Sequence, residues 1–121
     1  MHRELVLDTL ERLGIGRRFS GHHVAVEAIC MVAEDDTLLL CMKRNILQPL
    51  SEKYHCTTNS LERNLRTAVQ HAWQINPAYL CQLAGYQMTS APSVKEFIDI
   101  VSTCIIRNRT VGIGCEGYAK R

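Results

Sequence analysis

Asn59, Arg63, Arg66 and Gln70 recur at intervals of three and four residues, the spacing that lines up one face of an α-helix. At about 100° per residue they fall within an arc of about 60°. Leu61, Leu65, Ala68 and Ala72 fall on the other side as a narrow apolar stripe. The polar row suits planar, two-point hydrogen bonding. A guanidinium gives two parallel hydrogen bonds to guanine O6 and N7, and an Asn or Gln amide does the same for adenine. Glu62, beside the row, can accept from a cytosine amino group. Thr57, Thr58 and Ser60 at the helix start suit backbone phosphate, helped by the unpaired N–H groups and positive end of the helix. Lys53 supplies a cation just upstream. The pattern nominates Asn59, Glu62, Arg63 and Arg66 for base edges, and Lys53, Thr57, Thr58 and Ser60 for phosphates, with double-stranded DNA as the partner. Glu62 has a second available role, capping the helix from its third position with Asn59 as N-cap, and sequence leaves the two open. The competing reading of the whole row is a solvated face of an ordinary amphipathic helix.

A helix that presents such a row needs a platform. A short helix is expected over Leu47–Tyr54, with Leu47, Leu50 and Tyr54 on one face and Pro49 in its first turn, where a missing N–H does little harm. His55-Cys56-Thr57 then links it to a long helix, about Thr58–Gln74, which Asn76-Pro77 ends. A short helix, a tight turn and a longer amphipathic helix is the helix-turn-helix plan. Upstream, a first helix is expected over Arg3–Leu13, ended by Gly14, and a basic loop over Gly14–Arg18. A second helix is expected from Ser20 as N-cap to Glu34, and a third, strongly buried one over Leu38–Asn45. Downstream, helices are expected over Ala78–Ala84 and Ser93–Arg107, the latter opened by a Ser93/Glu96 capping box. Strand signals are weak throughout. The expected fold is all-α, about six helices containing a helix-turn-helix. Residues 1–108 form the DNA-binding domain and 109–121 a flexible C-terminal tail.

Bulk properties narrow the function. The 121 residues are enough for one domain with its own core. Net charge is +2, unevenly spread: four basic and seven acidic side chains in residues 1–36, against five and two in 37–76, as suits one basic face. No apolar run approaches the length of a membrane span, and the charged start is no secretory signal. No two of the six cysteines stand within ten positions of each other, so no zinc or redox C-x-x-C exists, and reduced thiols in a cytoplasmic protein are expected. The histidines at 22, 23, 55 and 71 fit no ordinary zinc ligand spacing. Gly112-Ile113-Gly114-Cys115-Glu116-Gly117 matches a dinucleotide fingerprint in letters only, since four residues cannot supply the helix and strand that must follow. With no paired carboxylates, triad or phosphate loop, neither an enzyme nor a small-molecule substrate is expected, and no cofactor or metal.

The run Thr57-Thr58-Asn59-Ser60-Leu61-Glu62-Arg63-Asn64-Leu65-Arg66, with Ala68 and Ala72-Trp73 behind it, resembles the recognition helix of one family. That family is the DNA-binding effector domain of the response regulator that initiates sporulation in endospore-forming bacteria. Leu10–Ile15, Gly21 with Glu27–Val32, Leu83–Tyr86 and Pro92–Ile98 resemble its other helices in the same order. The likeness spans about residues 5–107. It implies six helices and binding to a short asymmetric DNA box, as a homodimer or as tandem head-to-tail copies. Glu62 and Arg63 match family positions that contact bases, and Arg66 a second basic position. Ser60 stands where the family usually has a base-contacting arginine, Thr67 where a histidine is usual, and Pro49 is displaced by one residue. The likeness begins almost at Met1, so a regulator lacking the family's receiver domain is expected. The missing arginine at Ser60 also supports an alternative: a protein–protein partner or antagonist of a full-length relative, binding DNA weakly or not at all.

Overall fold

Apolar residues at helical spacing become six α-helices. In the computed structural model, which describes residues 2–111 and the side chains of 3–107, these are α1 His2–Arg12, α2 His22–Glu34, α3 Gln48–Lys53, α4 Thr58–Ile75, α5 Pro77–Ala84 and α6 Val94–Val111. No strand occurs among the described residues. The all-α expectation stands, and α6 runs past residue 108. The tail from 112 onward lies outside the described residues.

α2 and α6 are the central pair. α2 buries Val24, Ala25, Val26, Ala28, Ile29 and Val32, and α6 buries Val94, Phe97, Ile98, Val101 and Ile105. α1 closes one side with Val6, Leu10 and Leu13. α4 lies against the same core through Leu61, Leu65, Ala68, Val69 and Ala72. Fully burying each leucine or valine among them is worth about 1.5–3 kcal/mol, so the apolar stripe of α4 fixes which of its faces looks outward.

Two local expectations are corrected. Leu38–Asn45 is not a strongly buried α-helix. A 3₁₀ helix over Asp36–Cys41 runs into a π-helical turn over Lys43–Leu47, which continues into α3. Asp35 caps the 3₁₀ helix, its carboxylate accepting from the N–H and the hydroxyl of Thr37. At three residues per turn, three consecutive leucines cannot share one face: Leu39 is buried, Leu38 half-buried and Leu40 85% exposed. The π turn precedes Pro49, whose ring would clash with the carbonyl four residues back in a regular helix and whose nitrogen has no proton to give it. Gln48 N–H reaches the carbonyl of Lys43, five residues back. The second correction is at α2. Ser20 does not cap it; Gly21 is the N-cap, with no side-chain cap bond.

Gly21 is there for closeness. A Cβ at this position would stand 2.8 Å from the Asn64 carbonyl oxygen on α4 and 3.4 Å from the Ala68 Cβ. The start of α2 therefore sits directly on the backbone of α4. Phe19 and His71 close the same seam, ring centroids 4.7 Å apart. At the far end of α4, Asn76 caps α5, its Oδ1 accepting from Tyr79 N–H at 3.2 Å, while its Nδ2 donates to the Arg12 carbonyl at 3.2 Å. The capping box of α6 forms as expected: Glu96 N–H donates to Ser93 Oγ at 3.1 Å, and Ser93 N–H to Glu96 Oε1 at 2.9 Å.

Candidate nucleic-acid interface

The short helix α3 ends in a Schellman-type turn. His55 takes the left-handed conformation, φ 56°, and Cys56 N–H reaches back to the Ser51 carbonyl at 3.0 Å. Glycine usually holds that position; a side chain there costs of order 1 kcal/mol. The turn delivers the chain to Thr57, which caps α4 by accepting from Ser60 N–H at 3.0 Å. Asn59 is therefore inside α4 and not its cap, and Glu62 lies beyond the capping position. Of the two roles left open for Glu62, capping is removed. Its carboxylate instead pairs with Arg66 one turn on, at 3.3 Å.

Along α4 the nominated base-reading residues are placed together. Asn59, Arg63 and Arg66 are exposed, with Gln70 exposed in the same row, and Glu62 is half-buried on its edge. No ion pair engages Arg63 among the described residues, and 60% of the Arg66 side chain is accessible despite its bond to Glu62. The Glu62–Arg66 pair fixes one guanidinium along the helix and leaves the Arg63 guanidinium unpaired at the middle of the row.

The phosphate set is less uniform. Thr57 and Ser60 are exposed at the start of α4, but Thr58 is half-buried on the side of Leu61 and Leu65. Its N–H, which has no intrahelical acceptor at this position of a helix, is what it offers. Lys53, at the end of α3, is exposed but already has a partner. Its ammonium donates to Glu27 Oε2 on α2 at 2.7 Å and sits 5.7 Å from the Tyr54 ring centroid. Arg3 approaches the same carboxylate at 3.6 Å. The Lys53 hydrogen bond, with the charges of Lys53 and Arg3, holds the Glu27 carboxyl below its ordinary range against its partial burial. The same bond raises Lys53. Glu27 was not foreseen from sequence: it is 26 residues from Lys53, and no local pattern announces a partner at that distance.

A second unforeseen neighbour lies along the Glu62–Arg66 edge of α4. Residues 91–95, leading into α6, run beside it, and Arg66, Gln70, Met42 and Lys95 line the groove between them, about 440 Å³. Among the described residues no His/Cys/Asp/Glu group could hold a metal ion. Cys104 on α6 is disulfide-bonded, which corrects the expectation of reduced thiols throughout. His71 stacks on Phe19. Cys30, Cys41, Cys56 and Cys81 are free thiols, and burial pushes the Cys30 thiol up. No described helix is long and apolar enough to cross a membrane.

The arrangement is thus a helix-turn-helix whose second helix seals one face on the core and presents arginines and amides on the other. Residues 6–105, nearly the whole described chain, match the family described as sporulation initiation factor Spo0A C terminal. Such domains are DNA-binding parts of transcription regulators and not an enzyme family. With both the fold and the match in hand, the chain belongs to the Spo0A C-terminal effector domain family.

Proposed function

We propose that this domain recognises a specific double-stranded DNA sequence by laying α4 in the major groove. Asn59, Glu62, Arg63 and Arg66 reach base edges, while Lys53, Thr57, Ser60 and the first-turn N–H groups, including that of Thr58, hold phosphates. The observation that supports this reading is the exposed row on α4, centred on an Arg63 without an ion pair among the described residues, behind a helix-turn-helix junction. A major groove about 12 Å wide admits one helix, and arginine–guanine pairs are the commonest specific contact there. Tandem copies on adjacent boxes follow from the family likeness and belong to the proposal.

Selection of bound sequences from a random duplex pool, followed by titration of the selected and a scrambled duplex, tests it. Arg63→Ala loses about 1–3 kcal/mol on the selected duplex and less on the scrambled one, so specificity relaxes. Lys53→Ala weakens both alike and lowers the salt slope by about one. Unchanged affinity and unchanged discrimination in Arg63→Ala overturn the assignment of α4. Ser60, which puts a hydroxyl where a guanidinium is usual, favours a second reading, a partner of a full-length relative. That reading takes over if the wild-type domain shows no salt-dependent duplex binding.

A further inference from the structure

We infer that Lys95, at the start of α6, is a second phosphate anchor, gripping the DNA backbone along the edge of α4 opposite the buried start of α2. The inference rests on the proposed placement of α4 in a major groove. A helix seated in that groove has a sugar-phosphate backbone running along each of its flanks. On one flank of α4 stands the start of α2, with Gly21 against the Asn64 carbonyl. On the other, the Glu62–Arg66 edge, stand residues 91–95, and Arg66 and Lys95 line one groove there. Any strand passing that edge crosses this groove. Glu62, the acid in it, is balanced by Arg66 at 3.3 Å. Lys95 is exposed and has no ion pair among the described residues. The groove therefore has a net positive charge where a phosphodiester must lie.

Lys95 is also out of place by the rules of its own helix. It follows Val94 in the first turn of α6, where Ser93 and Glu96 already satisfy each other's N–H groups. A cation near the positive end of a helix is unfavourable, and an acid or neutral residue is preferred there. The capped helix end has no need of Lys95, whereas an anion arriving in the groove does.

The test uses the full chain and the duplex selected by the wild type. Affinity is measured between 50 and 200 mM salt for the wild type, Lys95→Gln, Lys95→Glu and Lys95→Arg, with the melting temperature of each. Lys95→Gln is expected to weaken selected and scrambled duplexes by the same factor and to lower the salt slope by about 0.9, so its affinity falls about threefold less across that salt range. Lys95→Glu weakens binding further while its melting temperature stays level or rises. Lys95→Arg retains wild-type binding. Replacing single phosphates by neutral methylphosphonates then finds one position that weakens the wild type but leaves Lys95→Gln indifferent. A wild type that binds steeply with salt, beside a Lys95→Gln of unchanged affinity and slope, overturns this inference and leaves the reading of α4 standing. A wild type with no salt-dependent binding overturns both.

Discussion

The two faces of α4 are built by opposite rules. The inner face carries Leu61, Leu65, Ala68, Val69 and Ala72, each no more than 2% exposed. Two alanines break the run of larger side chains there, and Ala68 lies near the point where Gly21 touches the Asn64 carbonyl. The outer face carries Asn59, Arg63, Arg66 and Gln70, all exposed, and the ion pair it makes among the described residues, Arg66 with Glu62, lies within the helix itself. Burial is concentrated on one side and the proposed recognition chemistry on the other, with the helix backbone as a rigid bar between them. Substitutions on the two faces should therefore be separable: inner ones read in stability, outer ones in binding.

The largest expected effect lies on the inner face. Leu65→Ala removes a side chain that is 2% exposed, and destabilises by about 2–5 kcal/mol through lost burial and the cavity left behind. Urea denaturation measures it. Any loss of DNA binding should disappear under conditions where the variant remains folded; binding lost from a fully folded Leu65→Ala would break the separation of faces. Gly21→Ala is next. The added methyl meets the Asn64 carbonyl oxygen at 2.8 Å, a backbone atom that cannot swing aside. The start of α2 has to back away, at about 1–3 kcal/mol by analogy with overpacked cores. Unlike Leu65→Ala, it tilts α4 as a body, so it should lower both stability and discrimination between duplexes.

Arg63→Ala sharpens the contrast from the outer side. Its side chain is exposed and makes no ion pair among the described residues, so its unfolding free energy should stay within about 0.5 kcal/mol of wild type. The loss of about 1–3 kcal/mol appears only in sequence discrimination. A melting temperature that falls in step with binding would mean that Arg63 is holding the fold.

What could be read from the sequence, and what could not, follows the range of the forces involved. Helix periodicity is local, so the stripe and row of α4 and the Ser93–Glu96 box were legible from spacing alone. Pro49 in the first turn of the short helix was legible, but the 3₁₀ helix turning into a π turn ahead of it was not, because that form depends on three leucines competing for one buried place. The contact of Gly21 with Asn64 joins positions far apart in the chain and has no signature beyond a glycine. Ser20 looked the better cap because local capping preference ignores the close approach required one residue later. At the candidate site the same boundary recurs. The exposed row was visible, and so were Thr57 and Ser60 at the helix start. The carboxylate holding Lys53 and the strap carrying Lys95 come from other helices, and only the tertiary packing brings them to α4.

Glu27 gives the smallest and most diagnostic prediction, because it touches a nominated phosphate contact without touching the outer row. It holds the Lys53 ammonium at 2.7 Å and so competes with any phosphate that approaches it. Glu27→Gln removes that competitor and a negative charge beside the interface. Affinity should rise modestly and equally for selected and scrambled duplexes, while the discrimination set by Arg63 stays the same. The cost in stability should be small, since the Lys53 side chain is 56% exposed and solvent-exposed pairs contribute about 0–1 kcal/mol. The pH dependence has a definite sign. The Glu27 carboxyl is held below its ordinary value in the fold, so its contribution is present above that ordinary value and is lost as pH falls through the lowered one. Lys53 is raised, so its contribution is present below the ordinary lysine range and is lost only as pH rises through the raised value. At neutral pH both halves are charged, and the stability difference between wild type and Glu27→Gln should be at its full size. It should close as the pH is lowered through the acid range. A difference that persists unchanged there would show that Glu27 acts through packing on α2, and Lys53 would then be free to meet a phosphate without first giving up a partner.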